Sequence, residues 1–295
     1  MPILHDFDYH RPSTLKDAIN LLGKYRNAAV LAGGTDLVPE MKENVSAPDA
    51  VIDIKQIPRL NKIEQTERKL HIGALVTFSD ILDSKLISKK LPVLIEICRN
   101  VASPGIRNRA TLVGNICSAV PCMDSGPILT ALDAIVVTSG PVGKRKIPIS
   151  EWFRGNRKTS IKKSEIVTGV IIPLPPSRHG GCYIKLGRYN GEDLAQASVL
   201  VAAFPNSSFR ISFGSVGPAP IRAGRIEKIL ARGEPLDTLI AEARAIIPEI
   251  ISPITDIRAS KEYRLHMAGV MFERAVRTAR SRLLGNGPEY GQCLI

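Results

Sequence analysis

Over the first 55 residues the apolar positions switch between helical and strand spacing. In "PSTLKDAINLLGKY" Leu15, Ala18, Ile19 and Leu22 fall on one face of a helix, with Ser13 or Thr14 placed to cap it. "AAVLA" (28–32) is a continuous apolar run ending at two glycines, and "AVIDI" (50–54) is the next. Both predict buried strands, so residues 1–55 read as a small α/β unit. Further on, "KLHIGALVTFSDILDS" (69–84) predicts a strand and then a helix capped by Thr77. "PVLIEICRNV" (92–101) has helical spacing, and the turn-rich "SPGIRNRATLVGNICSAVP" reads as a glycine-bearing loop. A short helix near 127–133, a strand at 134–139 and a strand in "EIVTGVIIPLP" follow.

Prolines and glycines crowd residues 173–181 and predict a domain boundary near 176. Beyond it, "CYIKLG", "SVLVAAF" and "FRISFGSV" predict three consecutive antiparallel strands. Helices are expected near 221–231, 236–247 and 259–284; in the last, Leu265, Ala268, Phe272, Ala275, Val276, Ala279 and Leu283 form an apolar stripe aimed at those strands. The tail "NGPEYGQCLI" reads as loose or partner-bound. Strands alternate with helices in the first part and precede them in the second, so the predicted class is α+β rather than a uniform doubly wound sheet.

Composition narrows the function classes. Apolar residues make up 44% of the 295, enough for a sizeable interior, and no long apolar run free of charge predicts a membrane span. The opening "MPILHDFDYHRP" carries acids and histidines, unlike a signal peptide. Cys98, Cys117, Cys122, Cys182 and Cys293 contain no CxxC pair and predict buried free thiols in a reducing, cytoplasmic setting. The C-x4-C spacing of Cys117 and Cys122 falls short of the four thiolates a cluster needs. The net charge of +12 calls for an anionic partner. The densest basic run, "GNRKTSIKK" (155–163), has no interleaved aromatics, so an acidic protein or a phosphate-bearing cofactor is expected rather than nucleic acid.

The chemistry concentrates in two glycine-bearing segments. "VLAGGTDLVPEMKE" (30–43) ends a strand at Gly33–Gly34, which can fold into a nest of amides for an anion; Thr35 adds a hydroxyl. A helix starting there adds about 0.3–1 kcal/mol per nearby negative charge. Asp36 is expected to point away and cap that helix. "RNRATLVGNICSAVPCMD" (107–124) offers Thr111, Gly114, Asn115 and Ser118 as donors and Asp124 as a ribose acceptor, with Arg107 and Arg109 raising the local potential. Neither segment is GxGxxG or GxxxxGK[ST], so the site is neither Rossmann nor P-loop. Together they suit one extended dinucleotide held at its diphosphate from two sides. A bare strand–helix turn, a phosphate-ligand module without redox chemistry and a basic nucleic-acid binder are the competing readings.

With these segments the chain resembles the FAD-binding medium subunits of the molybdenum hydroxylases, the xanthine dehydrogenase and aerobic carbon monoxide dehydrogenase family. The resemblance rests on "LAGGTDLVPEMK", "IRNRATLVGN", "ISEWFRGNRKTSI", "YIKLGRYNGEDLAQASV", "GSVGPAPIRA" and "DIRASKEYRLHMAGV", which occur in the family's order from about residue 7 to 280. It implies a two-part FAD-binding domain at 1–176, with subdomains of about 1–55 and 56–176. A C-terminal flavoprotein domain, 177–295, would carry the three-stranded antiparallel sheet and its helices. It implies non-covalent FAD on Leu31, Ala32, Gly33, Gly34, Thr35, Asp36, Leu37 and Val38, and on Thr111, Gly114, Asn115, Ser118 and Asp124. Val167 would pass the adenosine, and Lys185 and Leu194 would close over the flavin ring, Lys185 as a nearby cation. One departure stands out: Val113 occupies the first glycine of the family's T-x-G-G-N, and a β-branched residue disfavours a left-handed turn. The resemblance also implies a large molybdenum-cofactor subunit, a small subunit with two 2Fe–2S clusters, and onward transfer of electrons to NAD⁺ or another acceptor.

Overall fold

The computed structural model describes residues 2–189, 192–292 and 294. Cys293 lies outside them. The first strands, β1 (Asp8–His10), β2 (Ala28–Leu31) and β3 (Ala50–Asp53), form a parallel sheet in the order β1-β3-β2. All four residues of β3 are buried, which is why "AVID" is uniformly apolar until its final acid. The helix Leu15–Lys24 is capped by Thr14, whose hydroxyl accepts the Asp17 amide at 3.1 Å, and buries Ala18, Ile19 and Leu22.

Next in the chain are β4 (Ile63–Thr66), β5 (Lys69–Gly73), β6 (Ile135–Gly140) and β7 (Gly143–Pro148), the hairpin β8 (Phe153–Gly155) and β9 (Lys158–Thr159), and β10 (Ile166–Pro173). Strand β10 enters the middle of an antiparallel sheet ordered β4-β5-β10-β6-β7. The two outer strands escape the sequence reading because edge strands carry little apolar alternation; β7 reads "GKRKIP", the charged kind of edge that discourages pairing with another chain. Thr77 and Asp80 form a reciprocal capping box at the helix Phe78–Leu82. The segment expected to be a glycine-bearing loop instead contains a helix, Leu112–Ser118, capped by Thr111.

The last strands are β11 (Gly180–Leu186), β12 (Ala197–Ala203), β13 (Phe209–Gly214) and β14 (Ile221–Arg222), in that order and antiparallel. The sheet thus gains a fourth, two-residue strand where the expected helix was to start; that helix runs Gly224–Leu230. One face of the sheet carries Cys182, Ile184, Val199, Val201, Ile211 and Phe213. These join Ala268, Met271, Phe272, Ala275, Val276 and Ala279 of the helix Lys261–Leu284 in a separate core. Each large apolar side chain buried there contributes about 1.5–3 kcal/mol. The opposite face turns toward the N-terminal part, and its Tyr183 and Leu200 belong to that part's core. The sheet is therefore a shared wall. Tyr290 and Gly291 in the tail are held in place: Arg99 donates to the Tyr290 carbonyl at 3.0 Å, and the Gly291 amide donates to the buried Glu96 at 2.8 Å.

Candidate cofactor site

The turn after β2 leaves the carboxyl end of a parallel strand, where open α/β sheets present their ligand crevices. Gly34 has φ +77°, a left-handed conformation that other residues resist. Gly33 serves a different purpose. A Cβ there would sit 2.0 Å from the Arg109 carbonyl oxygen, so its missing side chain lets the backbone of the first segment lie directly on that of the second. The carboxylate of Asp36 accepts the Ser118 hydroxyl and makes no cap bond to its own helix, contrary to its expected role. The β8–β9 hairpin braces the same junction: the Arg157 amide donates to the Ala119 carbonyl at 2.9 Å and its guanidinium pairs with Glu40.

Between the two segments lies a cavity of about 480 Å³. Ala32, Gly33, Gly34, Thr35, Asp36 and Leu37 line it from the first segment, and Thr111, Gly114, Asn115, Ser118 and Asp124 from the second. Lys185 and Leu194 reach it from β11 and the connection that follows. Leu31, Val38 and Val167 do not line it. Leu31 and Val38 pack behind Gly34, and Val167 is buried in β10 opposite Thr138. Phe78, Val101, Ala102 and Ile106 supply an apolar wall that the sequence reading missed, because such residues read as ordinary core.

The donor set fits a diphosphate. Among the described residues the amides of Gly33, Gly34, Thr35 and Asp36 donate to no protein acceptor. The second segment offers side chains more than backbone: the Gly114 amide is taken by Thr111 Oγ1 at 2.9 Å and the Leu112 amide by the Val76 carbonyl at 3.3 Å. Asn115 is oriented by Ser125, whose amide and hydroxyl donate to its Oδ1 at 3.2 and 2.6 Å, leaving the Asn115 amide group to donate. Val113 needs no left-handed turn. It sits in the helix with its side chain 3% exposed, facing the core.

Charge at the cavity is held by partners rather than left bare. Asp36 is bonded to Ser118 and Glu40 to Arg157. Asp193 accepts amides from Arg188 and Leu194, and the first of these above all draws its carboxyl below the ordinary value. Asp124 accepts the Tyr183 hydroxyl at 2.8 Å and Lys185 Nζ at 3.0 Å. Burial pushes its carboxyl up, and Lys185 and Tyr183 pull against that. Arg107, expected to raise the potential, instead donates to the carbonyls of Val101, at 2.8 Å, and Ala102. The cysteines divide. Cys98 and Cys182 are buried, Cys122 is partly so, and Cys117 is exposed at the cavity wall rather than buried as expected.

This geometry agrees with comparisons across known proteins. Residues 5–175 match the family described as the FAD binding domain in molybdopterin dehydrogenase, and residues 194–279 match the CO dehydrogenase flavoprotein C-terminal domain. The chain belongs to this family: it is an FAD-binding subunit of the molybdenum hydroxylases and an oxidoreductase component. It is 34% identical over 281 residues to the carbon monoxide dehydrogenase medium chain of Afipia carboxidovorans, covering 94% of this chain and 97% of that one. It is 32% identical over 285 residues to the xanthine dehydrogenase FAD-binding subunit of Escherichia coli O157:H7, covering 94% and 97%. Its fold superposes on a chain of reconstituted CO dehydrogenase from Oligotropha carboxidovorans with a TM-score of 0.91 at 33% identity, covering 95% of this chain and 100% of that one. Among the described residues no helix is long and apolar enough to cross a membrane.

Proposed function

We propose that this chain is the electron-transfer subunit of a heteromeric molybdenum hydroxylase. It would take electrons from 2Fe–2S clusters on a small partner subunit, downstream of a molybdenum cofactor on a large one. It would pass them to NAD⁺ or another acceptor in a cytoplasmic setting. A bound flavin supplies the one- and two-electron chemistry; the protein supplies grip, orientation and electrostatics. The amides of residues 33–36 would hold the diphosphate, with Thr111 and Asn115 donating from the other side, while Ser118, whose hydroxyl is given to Asp36, would hold the two segments together. Lys185 would place a cation beside the ring, and Leu194 would shield one of its faces. Residues 1–176 and 177–295 would act as the two domains, the first divided near residue 55.

The observation that carries this reading is the set of open amides at 33–36 facing the helix Leu112–Ser118 across one cavity. Titrating apoprotein with FAD and with ADP tests it. The expected result is a yellow complex and FAD binding at least about tenfold tighter than ADP, roughly 1.4 kcal/mol for the ring's own contacts. Equal affinity would favour a bare phosphate-ligand module. Val113, which departs from the family's double glycine, lends such a module no support, because its side chain packs into the core.

A further inference from the structure

Tyr183 is buried, does not line the cavity, and nonetheless bonds to a residue that does. Strand alternation puts Tyr183 and Lys185 on the same face of β11, and both reach the carboxylate of Asp124 in the N-terminal part. Each oxygen has one donor: the Tyr183 hydroxyl on Oδ1 at 2.8 Å and Lys185 Nζ on Oδ2 at 3.0 Å. Lys185 also donates to the Asn100 carbonyl at 2.7 Å. The Tyr183 amide donates to Glu96 at 2.7 Å, so the strand cannot slide and take the phenol with it.

We propose that Tyr183 is a positioning residue: its hydroxyl holds the Asp124 carboxylate in an ion pair with Lys185, and that pair sets the charge of the cavity wall beside the flavin. The inference rests on the FAD reading above. With the pair intact its two charges cancel, on a wall that also carries the carboxylates of Asp36, Glu40, Glu192 and Asp193. When Asp124 takes up a proton, the Lys185 cation, whose side chain is buried, is left uncompensated. Besides those carboxylates and the Tyr183 phenol, two thiols lie in electrostatic reach of Asp124: Cys122, on the same segment, and Cys98, on the helix Pro92–Arg99. Arg258 and Arg107 act on these thiols. Both thiols are themselves pushed up by burial and stay neutral at physiological pH, so they do not mask the Asp124 transition.

The test is the pH dependence of the flavin's midpoint potential in the FAD-loaded complex, wild type against Tyr183→Phe. Removing the hydroxyl leaves Lys185 alone to oppose burial. The break in the profile is expected to move up by about one to two pH units, the size of a lost hydrogen bond to a charged group. Between the old and new breaks the variant's potential should lie above that of the wild type, since a cation favours added electrons. A variant that binds FAD and gives a superimposable profile overturns the inference and leaves the FAD reading intact. A wild-type complex without flavin overturns both. If Tyr183→Phe does not fold, 3-fluorotyrosine placed at 183 keeps the size and strengthens the donor. The break should then move down, and an unmoved break overturns the inference.

Discussion

The carboxylate of Asp36 accepts the hydroxyl of Ser118 across 82 residues of sequence. With the Gly33 backbone lying on the Arg109 carbonyl, this bond joins two segments that share no secondary structure. The cofactor cavity exists because they meet. It should be more sensitive to changes at the junction than to changes in either segment alone.

Gly33→Ala should abolish FAD binding. The new methyl would lie 2.0 Å from backbone oxygen, which cannot swing aside as a side chain can. Overpacking of this kind costs about 1–3 kcal/mol. Flavin content and urea midpoint report it, with Gly224→Ala as the control, since nothing lies within 4 Å of a Cβ there. Full flavin occupancy in Gly33→Ala would mean the two segments can separate without harm to the site.

Val113→Gly restores the family's double glycine. The structure gives it no benefit, because Val113 is in the core and in a helix. The lost side chain, at about 0.8 kcal/mol per carbon, and glycine's cost in a helix, about 1 kcal/mol, should total about 3 kcal/mol of stability. FAD affinity in the folded variant should be unchanged. A gain in affinity would show that Val113 obstructs the diphosphate after all.

Glu96→Gln should loosen the link between the two parts. Glu96 and Arg282 pair at 2.8 Å with side chains 2% and 3% exposed, and Arg282 lies over the Tyr290 ring at 4.1 Å. Removing one charge of a buried pair costs about 3–5 kcal/mol because the other is left uncompensated. Denaturation should show that loss, and limited proteolysis should show cleavage after residue 284 that the wild type resists. An uncut tail would assign its docking to contacts other than Glu96.

Acid sensitivity should trace in part to Asp53. Burial raises its carboxyl, but hydrogen bonds from Lys55 and Tyr9 outweigh that and leave it below the ordinary value. A depressed carboxyl stabilises the fold at pH above its unfolded value, about 3.9, and the contribution is lost as pH falls through the folded value. Tyr9→Phe removes one donor and so raises the folded value. Its urea midpoint should fall below the wild type's at pH 7, and the two should converge once pH is low enough to protonate Asp53 in both. A gap that stays constant with pH would assign the effect to packing.

What the residues themselves determined was local. Helical spacing with a threonine cap at Thr14 and at Thr77, an apolar run ended by two glycines, and three apolar strand runs after a proline-rich connection each depend on neighbours a few positions apart. Those rules carried the α+β class, the helices near the C-terminus and the first cofactor segment. Tertiary contact decided the rest. Asp36 had a local use, capping its own helix, and a distant one, Ser118; packing chose the distant one. The helix Leu112–Ser118 read as a loop because its apolar residues are too few to show a period, and its cap bond and buried Val113 tip the balance only inside the assembled core. Tyr183, Glu96 and Arg282 could not be singled out from sequence. Their partners lie 59, 87 and 101 residues away, and no periodicity in a chain encodes which distant carboxylate, amide or carbonyl a buried polar group will meet.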